Sequence, residues 1–99
     1  MRPIHVAQLD KARPVLILTR EIVRPHLTTV TVAPITGTIR GLSTEVRVGV
    51  GNGLDQPSVV ACDHVTTIPR DALGARIGLL LDDQERALSD AIHAAFDLD

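Results

Sequence analysis

Among 99 residues there is one aromatic, Phe96, with no tryptophan or tyrosine. A nucleic-acid platform of stacked rings, which needs two or three exposed aromatics, is therefore excluded. The sole cysteine, Cys62, rules out a disulfide within the monomer, and its place after "SVVA" reads as a reduced, buried thiol. His5, His26, His64 and His93 are scattered, and neither a Cys pair nor a helical His pair is present to hold a metal. The chain also lacks a phosphate loop, a Gly-x-Ser-x-Gly elbow and a dinucleotide fingerprint, so no cofactor is expected. Apolar runs reach about half the length of a membrane span, and "MRPIHVAQLD" lacks the long apolar stretch of a signal peptide. The expectation is a cytoplasmic protein with no membrane partner.

What is there in quantity is aliphatic and β-branched, 44% of the residues being hydrophobic, so the core must be built from Val, Ile and Leu. A net charge of −2 argues against an indiscriminate nucleic-acid binder. That average conceals an asymmetry. Residues 1–47 carry Arg2, Lys11, Arg13, Arg20, Arg24, Arg40 and Arg47 against three acids, whereas the second half is acidic. A basic face and an acidic, solvated C-terminal helix account for both halves.

Short β-rich runs recur between turn signals at residues 5–9, 15–19, 29–33, 45–50, 58–62 and 77–80, a spacing that suggests a small barrel. In "TTVTVAP", Val30 and Val32 share one face, and "GVGNGLDQP" supplies a Gly-Asn-Gly turn. Pro25 limits "TREIVRPH" to a helical turn. The period changes in "DDQERALSDAIHAAFDLD". There Asp82 or Asp83 can cap a helix with Glu85 as partner, and Leu88, Ala91, Ile92, Ala95 and Phe96 form one stripe for the sheet or a second protein.

Three stretches put polar groups at strand ends: "KARP", "APITGTIRG" and "VVACDHVTT". Pro14 biases Arg13 toward extended geometry, fixing its backbone while the guanidinium stays free to point at a ligand. Taken singly, Arg13 also suits a solvated strand end, Thr36 a β-former and Asp63 a strand-terminus carboxylate. The order "RPVLI", "VTVAPIT", "SVVACDHVTTI" and "IGLLL", closed by the amphipathic helix, resembles the MazF, Kid and PemK toxins, particularly the short mycobacterial MazF type, over almost the whole chain.

The resemblance implies one toxin domain over residues 1–99, mainly β with a C-terminal helix, an SH3-like small barrel assembled as a homodimer. It implies a sequence-selective, metal-independent endoribonuclease that cuts single-stranded RNA by attack of the 2′-oxygen, inhibits translation and growth, and is held inactive by a MazE-like antitoxin. Arg13 and Thr36 match the catalytic pair, and Asp63 and His64 match positions that place substrate or move a proton, a role His26 also has the chemistry for. Lys11, Thr38, Arg40 and Thr66 complete the expected RNA contacts. Two departures from the family pattern stand out. "AQLDKARP" crosses between the first strands without a long Gly-rich loop, and Ala61 and Thr66 occupy positions where arginines are common. The competing readings are a CcdB-like topoisomerase-poisoning protein on the same fold and an inert SH3-like interaction barrel.

Overall fold

The alternating apolar positions of "TVTVAPIT" build the longest strand, Thr29–Thr36, and the rest of the sheet is arranged around it. The structure is a computed structural model and describes residues 2–98. In chain order the elements are β1 (Pro3–Gln8), β2 (Ala12–Ile17), β3 (Thr29–Thr36), β4 (Glu45–Val48), β5 (Ser58–Ala61), β6 (Thr66–Pro69), β7 (Leu73–Leu79) and helix α1 (Glu85–Ala95). Short 3-10 turns lie at Arg24–His26, Val50–Asn52, Cys62–His64, Arg70–Ala72 and Asp82–Gln84.

All pairings are antiparallel, in the order β4-β5-β3-β2-β1-β7, with β6 beside β3. One edge of β3 pairs β2, with Val15 opposite Pro34 and Ile17 opposite Val32. Its other edge is divided. Thr29 to Val32 pair β6, and Ile35 and Thr36 pair β5.

The middle of the sheet is covered on both faces, which is why β2 and β3 read as dense aliphatic runs. One face carries Ile4, Leu16, Ala33, Ile35, Val46, Val60 and Leu80 against Leu88 and Ala91 of α1. The other gathers Ala7, Val15, Ile17, Val30, Val32 and Ile68. Each of the Val, Leu and Ile side chains among them, fully buried, contributes about 1.5–3 kcal/mol. Cys62 lies inside the first cluster, where desolvation and then the charge of Asp63 push its thiol up to about 11, so it is inert at neutral pH.

Several expectations change. The sheet is not a closed barrel: among the described residues β4 and β7, at its two ends, are not hydrogen-bonded to each other. The gap is filled by the Val50–Asn52 turn. Asn52 is buried, and its Nδ2 donates to Leu79 O at 2.9 Å and Gln84 Oε1 at 2.6 Å, while its Oδ1 accepts the Gly49 N–H at 3.0 Å. Backbones meet closely there, and a Cβ on Gly78 would fall 1.7 Å from Asn52 O. Strand β6 is an addition, and β7 begins four residues before the expected Ile77.

The 3-10 turn leading into α1 is capped by Gln84, whose Oε1 accepts the Leu81 N–H at 2.9 Å, and Glu85 instead pairs with Arg2 at 3.1 Å. The helix ends in a Schellman arrangement, with Asp97 at φ +55° and Leu98 N–H donating to His93 O at 2.8 Å. Phe96 thus lies past the last helical turn and is 55% exposed rather than packed in the stripe. Among the described residues no helix is long and apolar enough to cross a membrane.

Candidate active site

The β1–β2 turn, the end of β3 and the 3-10 turn after β5 converge on one side of the sheet and form two adjoining clefts. The first, of about 560 Å³, is lined by Asp10, Arg13, Thr36, Thr38, Arg40, Thr44, Asp63 and His64, among others. The second, of about 470 Å³, is lined by Lys11, Arg13, Thr36, Gly37, Asp55 and Gln56, among others. Arg13, Ile35 and Thr36 are common to both, so the arginine and the threonine stand on the ridge between them.

Arg13 is held rather than free. Its side chain is 33% exposed, and Asp10 grips it in a fork, with Nε to Oδ1 at 2.9 Å and Nη2 to Oδ2 at 3.1 Å. The Lys11 N–H also donates to Asp10 Oδ1, at 3.0 Å. The hydrogen bond from Arg13, backed by its charge, lowers the Asp10 carboxyl to about 2 and raises the Arg13 guanidinium above its ordinary value. Arg13 Nη1 has no protein partner among the described residues and remains available to a ligand.

On the facing strand end, Thr36 Oγ1 accepts the Thr38 N–H at 3.1 Å, which orients the hydroxyl and leaves its own proton to donate elsewhere. Asp63 accepts from Thr44 Oγ1 at 2.6 Å. The loop carrying Thr38 and Arg40 is shaped by Glu45, whose Oε1 accepts the N–H groups of Arg40, Gly41 and Leu42 at 3.2, 2.9 and 3.1 Å. Gly41 sits at φ +76°, a backbone conformation that suits glycine.

Of the residues expected from sequence, Arg13, Thr36, Asp63, His64, Thr38 and Arg40 meet in the first cleft, and Lys11 lies in the second. Thr66 does not join them. It lies on β6 opposite Val32, four residues back along β3 from Thr36, about 13 Å away by strand rise. His26, in the Arg24–His26 turn, lines neither cleft. Asp10 and Glu45 are the residues that sequence reasoning passed over. The only signal for Asp10 was a carboxylate three positions before Arg13 in a turn. Glu45 binds backbone groups, for which no side-chain motif exists. Among the described residues no group of three His, Cys, Asp or Glu side chains is placed to hold a metal ion.

The chain is 72% identical, over its full length and 96% of the relative, to a Mycobacterium tuberculosis protein named Endoribonuclease MazF3. Its fold superposes on a solved structure of Mycobacterium tuberculosis toxin MazF-mt6 with a TM-score of 0.98, at 71% identity and 99% coverage of both chains. A mycobacterial endoribonuclease solved in complex with its cognate antitoxin shares the fold at a TM-score of 0.88 and 24% identity, covering 98% of this chain and 93% of that one. The family model for PemK-like, MazF-like toxins of type II toxin-antitoxin systems matches residues 3–96. With that span and those relatives, the chain belongs to the PemK-like, MazF-like toxin family.

Proposed function

We propose that this chain is a MazF-type toxin endoribonuclease in which Arg13 and Thr36 hold the scissile phosphate of single-stranded RNA. The observation that carries the reading is the pair's position on the ridge shared by the two clefts, where a strand lying across both must pass. In the reaction the 2′-hydroxyl gives up its proton, its oxygen bonds to phosphorus, the bond from phosphorus to the 5′-oxygen breaks, and that oxygen takes a proton. The products are a 2′,3′-cyclic phosphate and a 5′-hydroxyl.

The five-coordinate transition state gathers negative charge on the non-bridging oxygens. Arg13 Nη1 and the Thr36 hydroxyl supply donors already oriented by Asp10 and Thr38, so little reorganisation is needed as charge develops. Preorganised donors of this kind are worth about 3–4 kcal/mol each. Arginine is a poor proton carrier because it stays charged at any working pH. Asp63 and His64, which line the same cleft, are assigned the proton exchange, and Asp10, held at about 2, is too weak a base for it. Lys11, Thr38 and Arg40 position the flanking nucleotides.

Family membership and a relative named as an endoribonuclease favour cleavage over the topoisomerase-binding and inert-barrel readings. The toxin works in the cytoplasm as a homodimer, silenced by a MazE-like antitoxin whose acidic tail lies over Arg13. The test is incubation of the purified protein with a mixed RNA pool in EDTA, with the cut ends sequenced. Cleavage at a recurring short motif is expected; no cleavage by correctly folded protein would overturn the reading.

A further inference from the structure

Far from the two clefts, at the opposite ends of β2 and β3, lies a third groove of about 350 Å³ lined by His5, Glu21, Arg24, Thr29 and Arg70 with apolar neighbours. Arg24 lines it, and the Nε of that side chain is the one buried side-chain polar atom without a hydrogen-bond partner among the described residues. Buried donors are nearly always paired, and a desolvated guanidinium nitrogen left alone is costly, so an anion drawn to the same guanidinium would offset that cost.

The neighbouring groups point to the same chemistry. Arg70 is anchored through Nη1, which donates to the carbonyls of Arg24, Pro25 and Leu27 at 3.4, 3.4 and 3.0 Å, leaving its remaining donors unused by protein among the described residues. Glu21 lines the groove but forms no ion pair with either arginine, so two uncompensated guanidinium groups face one carboxylate.

We propose that Arg24 and Arg70 form a second phosphate-binding site, which grips the RNA backbone away from the bond that is cut. From Val30, in this groove, to Thr36 is six residues of β3, about 20 Å of strand, which a single strand of several nucleotides spans. A guanidinium's planar fork of donors matches two phosphate oxygens. The inference rests on the RNA reading of the clefts and extends it to a longer footprint, so a chain of nucleotides long enough to reach both places binds more tightly than one that fills the clefts alone.

The test uses Arg24→Gln in the full-length protein, because the Arg24 side chain makes no hydrogen bond among the described residues that the substitution would break. Fluorescence anisotropy compares uncleavable 2′-O-methyl oligonucleotides of about 4 and about 12 nucleotides, with inorganic phosphate as competitor. The variant should keep its melting temperature or gain a little, bind the short oligonucleotide as the wild type does, and bind the long one about tenfold more weakly. Its salt slope on the long one should fall by about 0.7, one phosphate's share. Inorganic phosphate should weaken binding of both oligonucleotides, and its extra effect on the long one should be smaller in the variant than in the wild type. Equal affinity for the long oligonucleotide in the two proteins would overturn the proposal, as would an equal loss on both lengths. So would a variant that loses affinity only for free phosphate, or only for an acidic peptide. Failure of the wild type to bind either oligonucleotide would instead sink the RNA reading, and the second site with it.

Discussion

Asp10 decides how Arg13 behaves. Bound through Nε and Nη2, the guanidinium cannot swing, and its remaining edge is presented at the ridge between the clefts. Removing the clamp should therefore slow chemistry without unfolding the chain. Asp10→Ala is expected to lower the single-turnover cleavage rate about tenfold, with Asp10→Asn between it and the wild type because it keeps one acceptor oxygen. The pH dependence follows from the depressed carboxyl. Because its folded value, about 2, lies below the ordinary 3.8, the stabilisation from the pair is complete above about pH 4 and is lost as pH falls toward 2. The clamp is thus intact across the neutral range, and any acid limb of the rate profile between about pH 4 and 7 should persist in Asp10→Asn. Loss of that limb in the variant would reassign the titrating group to Asp10. The sequence exposed Arg13 through the constraint from Pro14, yet an aspartate in a turn has many ordinary uses, so the partner that fixes the arginine was not legible.

Loops and strands show a similar division. The loop of residues 37–44 has no secondary structure of its own and depends on Glu45, whose single oxygen collects three backbone N–H groups. Glu45→Ala should cost about 1–3 kcal/mol and speed amide exchange at Arg40, Gly41 and Leu42, while Glu45→Gln, which keeps the oxygen, recovers most of both. Unchanged exchange at those amides would show that the loop is held by something else. At the seam between the sheet's ends, Gly78→Ala drives a methyl group into the Asn52 carbonyl and should cost about 3 kcal/mol or more in thermal unfolding. β1 to β5 were readable because their apolar residues alternate or run together between turn residues. β6, "TTIP", was not, since it is four residues long, mostly exposed and ends in proline. Gly74 hid the true start of β7, where it permits close backbone approach to Val6 rather than breaking the strand. The Schellman end that turns Phe96 outward has aspartate where glycine would have signalled it.

For the whole molecule, the order of motifs along the chain carried more than any one of them. Arg13 and Thr36 are 23 residues apart in sequence, and the antiparallel pairing of β2 with β3 makes them neighbours. The place of Thr66 outside the clefts, opposite Val32, depends on a register that no local pattern encodes. The exposed Phe96 and Leu98 leave apolar surface that a second copy would cover. Light scattering at micromolar concentration should accordingly give twice the 10.6 kDa chain mass, and a clean monomer would contradict the homodimer. The most direct test of the central claim is single-turnover cleavage of one defined RNA in EDTA by wild type, Arg13→Ala, Arg13→Lys and Thr36→Ala, with circular dichroism on each protein. Arg13→Ala should fold normally and lose about 100-fold or more in rate, Thr36→Ala should lose less, and Arg13→Lys should recover only part of the loss because it restores the charge without the fork. A folded Arg13→Ala that cleaves as fast as the wild type would contradict the account.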